Sequence, residues 1–135
     1  MSTTPLLRSI PMFAGLSDDD VAALSKAVVP REFKAGKMIF ARGDAGNAMY
    51  IVERGDVNIH LPGQNSQRIS LKDVSRGEYF GELALFDEKP RSASAVATSD
   101  TVLLELKHDT LTSYLERRPA AAMAILRTIS ERLRE

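Results

Sequence analysis

Apolar and polar positions alternate with a different period in each of three zones of the chain. In residues 1–29 the apolar positions recur at helical spacing, and Ser17, followed by three aspartates, is a suitable helix N-cap. In residues 30–106 they fall instead in short segments rich in β-branched residues, namely MIF, MYIVERG, VNIHL, RISLKDV, ASAVA and VLLEL. Residues 107–135 return to helical spacing. The pattern predicts a β-rich centre with helices on both sides.

Glycines mark the turns of the central zone. Seven of the eight glycines lie between Gly36 and Gly81, in the gaps between candidate strands. Many short strands with glycine turns are typical of a barrel, a sandwich or a jelly roll. We predict a mainly β fold with flanking helices (α+β): a jelly-roll β-barrel with N-terminal helices and two C-terminal helices, in a single domain over residues 1–135.

The last zone predicts two helices, with Asp109 as the N-cap of the first and Pro119 at the start of the second. The second helix carries a heptad-like seam made of Ala122, Leu126, Ile129 and Leu133. A seam of under two repeats favours packing on the chain's own domain. The alternative, contact with a second copy or with an effector domain through residues 119–134, stays open.

Composition narrows the class of protein. The chain has 135 residues, a formal net charge of zero and no cysteine. The zero net charge argues against a broad electrostatic contact with nucleic acid or anionic membrane and leaves a local basic patch open, and the lack of cysteine excludes a disulfide framework and a thiolate metal site. The longest apolar run, AAAMAIL, is too short to span a membrane, and the first residues lack the apolar core of a secretory signal. We expect a soluble, cytoplasmic domain without membrane insertion.

Groups suited to catalysis are scarce. His60 and His108 are the two histidines, they lack metal-binding spacing, and no GxxxxGK[ST] motif is present. Alternation places His60 on the polar, solvated face of its strand, and His108 at a helix start as a structural or solvated residue. Asp87 and Glu88 are typical of an exposed loop. We predict no enzyme activity and no metal site.

One stretch, FGELALFDEKPRSASAV at residues 80–96, combines small apolar residues with two charges, Glu82 and Arg91. Gly81 would let a ligand approach the backbone, and the turn after it offers N–H groups to a phosphate. A glutamate accepts hydrogen bonds from sugar hydroxyls, and an arginine presents a planar fork to two phosphate oxygens. Two interpretations stay open: the charges bind a ligand, or they pair with each other to close the loop.

The succession of FGELAL and PRSASA resembles the phosphate-binding cassette of cyclic nucleotide-binding domains, the superfamily of the bacterial catabolite activator and the protein kinase A regulatory subunits. FKAGKMIFARGDAGNAMYIVERGDVNI upstream resembles the first strands of that family, and PMFAGLSDDDVAALS resembles its helical lead-in. The resemblance covers nearly the whole chain. It implies a β-roll over residues 30–106 between a lead-in at 1–29 and helices at 107–135.

The resemblance also implies a role for each cassette residue within 80–93. Glu82 would bind the ribose 2′-hydroxyl, Arg91 would pair with the cyclic phosphate, and Gly81 would permit close approach. Backbone N–H groups near Leu83, Ala84 and Ser92 or Ala93 would complete the phosphate site. Candidates for an apolar wall are Val57, Ile59, Leu61, Leu71 and Val74.

Within the family a threonine directly after the arginine supports cGMP. Ser92 keeps a hydroxyl there but also occurs in cAMP-preferring members, so we expect cAMP ahead of cGMP. In many members a residue far along the last helix caps the base, and this chain ends in SERLRE at about that position, which leaves the source of the cap open.

The resemblance implies a non-catalytic sensor that needs no cofactor besides its nucleotide ligand and transmits binding through movement of residues 107–135. One alternative is a ligand-independent interaction or dimerisation module. The other is the sensor half of a transcription regulator, whose helix-turn-helix would follow this chain. We expect no direct nucleic-acid contact by residues 1–135 themselves.

Overall fold

The computed structural model describes residues 4–134, and the elements below are those of this part of the chain. The α-helices are Thr4–Arg8 (α1), Asp18–Ala27 (α2), His108–Arg117 (α3) and Pro119–Leu133 (α4). The β-strands are Val29–Phe33 (β1), Met38–Phe40 (β2), Ala48–Arg54 (β3), Asp56–Pro62 (β4), Arg68–Ser75 (β5), Tyr79–Phe80 (β6), Ser94–Ala97 (β7) and Thr101–Lys107 (β8). Short 3-10 helices cover Pro11–Phe13, Gln64–Ser66 and Glu82–Leu85. Among the described residues, no helix has the length and apolar character needed to cross a membrane.

The strands form two four-stranded antiparallel sheets, in the orders β1-β8-β3-β6 and β2-β7-β4-β5. Both sheets belong to one compact unit, Val29–His108, and the segments before and after it form a second, helical unit. The predicted mainly β fold with flanking helices is therefore confirmed. The expectation of a single domain over 1–135 stays a prediction.

The core of the β unit lies where the inward faces of the two sheets meet. Its buried members come from strands of both sheets: Ala48, Tyr50, Val52, Val57, Val74, Phe80, Ala95 and Leu103. Three aromatic rings, those of Phe40, Tyr50 and Phe80, lie together with centroids 5.4–6.1 Å apart. Such ring pairs add about 0.5–1.5 kcal/mol each beyond the area they bury, so the trio fixes this end of the core.

The prediction that His60 is solvated is wrong. His60 is only 3% exposed, and its ring Nδ1 has no hydrogen-bond partner among the described residues. The strand beside it, β7, is buried along its whole length, and His60 pairs with the buried Ser94 of that strand. The alternating pattern had implied an open outer face, whereas both faces of the sheet are covered at this position.

Helix starts follow the sequence signals with one exception. Ser17 caps α2 by accepting a hydrogen bond from the backbone N–H of Asp20 at 3.2 Å, and Pro119 opens α4, both as predicted. The prediction that Asp109 is an N-cap is wrong, because α3 already begins at His108, directly after β8. Asp109 lies instead in the first helical turn, where the helix dipole still favours a carboxylate.

The buried face of α4 is offset from the predicted seam. Ala121 and Ile125 are the buried residues of this helix, whereas Leu126 and Leu133 of the seam are 57% and 81% exposed. The expectation that the seam packs on its own domain is therefore wrong for these two leucines. The buried residues Ala121 and Ile125 each lie one position before a residue of the predicted seam. The helix therefore leaves apolar side chains of the seam exposed.

A buried carboxylate joins α2 to α3 and to the residue before α4 in the helical unit. Asp20 is 4% exposed, accepts a short hydrogen bond from the Tyr114 hydroxyl, and lies 3.2 Å from the Nη2 of Arg118. Burial by itself raises the pKa of the Asp20 carboxyl, but hydrogen bonds from Tyr114 and Ser17 and the charge of Arg118 outweigh it and hold the pKa below its usual value. The ionised form is therefore the one that stabilises the helices.

We expect Asp20→Asn to lower the free energy of unfolding at pH 7 by about 1–3 kcal/mol, because it weakens charge-assisted hydrogen bonds in a buried site. The native pKa is lower than the unfolded one, so the carboxylate stabilises the fold above the unfolded value and this stabilisation is lost as the pH falls through the native value. The difference between wild type and variant should thus shrink below about pH 4.

Urea unfolding followed by circular dichroism at several pH values measures this difference. Asp19→Asn is the matched control, since Asp19 is exposed in the same helical turn. This substitution should lower the free energy of unfolding by only a few tenths of a kcal/mol. Equal stability of wild type and Asp20→Asn at pH 7 would contradict the role given to Asp20.

Candidate functional site

A cavity of about 650 Å³ opens in the β unit beside the 3-10 helix Glu82–Leu85. All seven site residues predicted from the sequence line it: Gly81, Glu82, Leu83, Ala84, Arg91, Ser92 and Ala93. Both parts of the stretch thus meet around one space, although the glutamate and the arginine lie nine positions apart in the sequence. The volume lies in the range of about 300–1,000 Å³ that is typical of small-molecule sites.

The bend at Gly81 brings the first part of the stretch to the cavity. Strand β6 pairs with Tyr50 and Ile51 of β3, and Gly81 then turns the chain into the 3-10 helix with a φ of +76°. A Cβ at this position would lie 2.6 Å from the Nη1 of Arg91 and 3.4 Å from the carbonyl oxygen of Ala48. Glycine is required here on both counts, because its backbone is left-handed and the guanidinium fills the space of a side chain.

The Arg91 guanidinium is held by backbone carbonyls and an aromatic ring. Its Nη2 donates to the carbonyl of Ala48 at 2.6 Å, its Nη1 lies 3.5 Å from that of Gly81, and its Cζ is 4.2 Å from the Phe40 ring centroid. The residue is 8% exposed, and its Nε has no hydrogen-bond partner among the described residues. The fork is therefore fixed in orientation before any ligand arrives.

The interpretation that Arg91 pairs with Glu82 is wrong. Within residues 4–134, the ion pairs of 4.0 Å or less include no carboxylate beside Arg91. Burial lowers the pKa of the Arg91 guanidinium from its usual value, but an arginine in a protein stays protonated. The cavity wall thus contains a buried positive charge that has no ion pair within 4.0 Å among the described residues, and the more distant carboxylates of Asp44 and Glu105 compensate it only in part, since the pKa stays lowered.

His108 contacts the loop between the 3-10 helix Glu82–Leu85 and Arg91. His108 places its Nδ1 2.7 Å from the carbonyl oxygen of Leu85 and its Nε2 3.1 Å from a carboxylate oxygen of Glu88. His108 is thus a structural residue, one of the two roles that the sequence left open for it. Asp87 and Glu88 are exposed, as predicted.

The apolar wall is mostly different from the predicted one. Of the five candidates only Ile59 lines the cavity. Val57 and Val74 are fully buried in the core, and Leu71 is 53% exposed. Leu61, the fifth candidate, is half-buried further along β4 and does not line the cavity. The resemblance named apolar strand positions but gave neither their burial nor their distance from the cassette.

Sequence reasoning missed several residues that complete the cavity. Phe40 and Lys72 line it from β2 and β5, and Tyr50 lies beneath the guanidinium, with its ring centroid 5.8 Å from the Arg91 Cζ. No local motif marks these positions, because strand pairing brings them to the cassette from far along the chain. The aromatic character of Phe40 and Tyr50 was the one signal available, and it fits an ordinary core residue equally well.

Comparison with known proteins places this geometry in a family. Residues 30–118 match the family model of the cyclic nucleotide-binding domain. The chain is 36% identical over 129 residues to the "Cyclic AMP receptor protein" of Thermus thermophilus, covering 96% of this chain and 60% of that protein. It is also 36% identical over 99 residues to the "cAMP-dependent protein kinase type II regulatory subunit" of Drosophila melanogaster, covering 73% of this chain and 26% of that protein.

A solved structure agrees over almost all of both chains. The N-terminal domain of a transcriptional regulator from Streptomyces coelicolor A3(2) superimposes with a TM-score of 0.89 at 36% identity, covering 96% of this chain and 92% of that one. The names of these relatives describe receptors, regulators and regulatory subunits, and the chain spans less than two thirds of the curated relatives' length. Together with the cassette geometry, these matches show that the chain belongs to the cyclic nucleotide-binding domain family of the catabolite activator and protein kinase A regulatory type.

Proposed function

We propose that this chain binds a cyclic nucleotide in the cavity beside Arg91 and acts as a non-catalytic sensor. The observation that carries the proposal is the guanidinium itself, which is 8% exposed and has no carboxylate oxygen within 4.0 Å among the described residues. A buried charge is costly unless an opposite charge neutralises it. A cyclic phosphate carries one negative charge and offers two free oxygens to a planar fork.

The carboxylate of Glu82 selects for the sugar. Glu82 lines the same cavity and is half-buried at the first position of the 3-10 helix. An ionised carboxylate accepts hydrogen bonds and repels phosphate, so it suits a ribose hydroxyl. Positive and negative groups in one cavity thus fit a ligand with an anionic end and a hydroxyl-bearing end.

The remaining lining suits a purine base. Phe40, Ile59 and Phe80 supply apolar surface, and Leu83, which is 69% exposed, supplies more at the mouth. We favour cAMP over cGMP, because two of the relatives are named for cyclic AMP and the exposed Ser92 adds only one hydroxyl for reading the base.

The output of the sensor passes through the C-terminal helices in this proposal. Strand β8 continues without a linker into α3, so a change at the strand end is transmitted covalently to residues 107–135. A ligand drives such a change only if it binds two conformations with different affinity. The exposed Met123, Leu126 and Leu133 of α4 supply an apolar surface for a second copy or for an effector domain.

Regulation of transcription is the context that two relatives suggest, since one is a receptor protein and one a transcriptional regulator. In that case this chain supplies the nucleotide-sensing part, works in the cytoplasm, and makes no contact with nucleic acid or membrane itself. The competing proposal is an interaction module that has lost its ligand. The buried charge of Arg91, which has no ion pair within 4.0 Å among the described residues, argues against it, because a cavity without ligand would gain from losing a buried cation.

Calorimetric titration of the chain with cAMP, cGMP and 5′-AMP tests the proposal. We expect one-to-one saturable binding of cAMP, weaker binding of cGMP, and much weaker binding of 5′-AMP, whose phosphate carries a second charge and is not tied back to the ribose. Absence of saturable binding by both cyclic nucleotides would contradict the proposed function.

Two substitutions test the site assignment. We expect Arg91→Ala to weaken cAMP binding by about 2–5 kcal/mol, because it removes one partner of a desolvated charge pair, and Glu82→Gln to weaken it by about 1–3 kcal/mol through a lost charge-assisted hydrogen bond. Arg76→Ala is the matched control, since Arg76 is an exposed arginine outside the cavity lining. Affinities of both site variants equal to that of the control would show that the nucleotide binds elsewhere.

A further inference from the structure

His108 occupies a junction of the chain. It is the last residue of the β unit and the first residue of α3. Its backbone N–H donates to the carbonyl of Asn47 at 2.8 Å, and its side chain is 16% exposed. The imidazole reaches the loop after the 3-10 helix Glu82–Leu85, where it meets the carbonyl of Leu85 at 2.7 Å and the carboxylate of Glu88 at 3.1 Å.

The atoms that lie within hydrogen-bond distance of the two ring nitrogens, the Leu85 carbonyl oxygen and a Glu88 carboxylate oxygen, are both acceptors, and a carboxylate oxygen of Asp109 lies within 4.8 Å of a ring nitrogen. A carbonyl oxygen has no proton to donate, and neither has an ionised carboxylate. A neutral imidazole carries one N–H, so it satisfies Leu85 or Glu88 but not both. Only the imidazolium, with a proton on each nitrogen, makes both hydrogen bonds and also pairs its charge with that of Glu88. The geometry therefore fits the protonated form of His108.

The two partners of His108 belong to the segment that shapes the cavity. Leu85 is the last residue of the 3-10 helix whose first residue is Glu82, and Glu88 precedes Arg91 by three residues. Neither His108 nor these partners line the cavity, whereas Asp87 and Lys89 on either side of Glu88 do. His108 thus acts on the cavity through the loop.

We propose that His108 is a positioning residue whose protonated ring fixes the loop 85–88 in the ligand-binding conformation. The inference rests on the proposed function, since the ligand is the cyclic nucleotide of that cavity. Coupling between two bound species is reciprocal. A proton on His108 therefore strengthens nucleotide binding, and a bound nucleotide strengthens proton binding at His108. We therefore expect the affinity to be highest at low pH and to fall as the pH rises and the ring loses one of its two protons.

The other charged groups near the ring are carboxylates and lysines. Asp87 and Lys89 flank Glu88 in the loop, and Lys107 and Asp109 flank His108 in the chain. Carboxylates change charge below about pH 5 and lysines above about pH 9. His60, the second histidine, is buried in β4 and is the same in every variant below, so a loss of pH dependence on changing His108 is assigned to His108.

The test is a titration of the full chain with cAMP between about pH 5.5 and pH 8, with EDTA present to remove divalent cations. We expect the wild-type dissociation constant to rise about three- to tenfold across this range, since the pair with Glu88 is partly exposed. His108→Gln should bind cAMP with a pH dependence of less than about twofold, because glutamine does not titrate. His108→Arg, which keeps two donors at every pH, should restore tight binding and also remove the dependence.

Two further variants separate positioning from a merely structural role. Glu88→Gln should weaken the pH dependence while leaving His108 in place, and Lys107→Gln, an exposed neighbour outside the pair, should keep the wild-type dependence. A wild-type affinity that does not change with pH, or an unchanged dependence in His108→Gln, would overturn the inference while leaving the proposed function intact. Failure of the wild type to bind cAMP at any pH would overturn both.

Discussion

The site depends on one buried positive charge. Two backbone carbonyls and the Phe40 ring fix the Arg91 guanidinium in place, yet carbonyl dipoles and ring quadrupoles only partly replace the water that burial removes. In the proposed function, the phosphate of the ligand supplies the negative charge. The left-handed Gly81, whose Cβ would collide with the guanidinium, follows from the same constraint, because no other residue leaves room for the fork.

The β-roll supplies the groups that hold the buried arginine. The Ala48 carbonyl comes from β3 and Phe40 from β2, so strands of both sheets contribute to one arginine on a loop. The Phe40, Tyr50 and Phe80 rings lie on the inward side and exclude water from it. The sheets thus hold an arginine of a loop in one fixed geometry. The His108 contacts to Leu85 and Glu88 extend the same principle to the far end of that loop.

Local patterns predicted much of this from the sequence. The Ser17 cap, the Pro119 helix start and the strand-rich centre were identified, because each depends on neighbours within a few positions. The seven cassette residues line one cavity, and their role in binding stays a prediction. The predictions that were wrong depend instead on contacts between residues far apart in the sequence. His60, Leu71 and the α4 leucines were misjudged because burial of a face depends on elements far away in sequence. Phe40 and Lys72 reach the cavity through strand pairing, which periodicity does not specify.

In the proposed function, binding depends on neutralisation of Arg91 by the charge of the ligand's phosphate. The most direct measurement therefore uses a ligand without that charge. The neutral methyl ester of cAMP keeps the base, the ribose and the ring but has no phosphate charge. Its affinity should be compared with that of cAMP for the wild type and for Arg91→Ala. We expect the wild type to bind the ester at least about 30-fold more weakly than cAMP, and Arg91→Ala to bind the two almost equally, since a desolvated charge pair contributes about 2 kcal/mol or more. Equal binding of cAMP and its ester by the wild type would contradict the account.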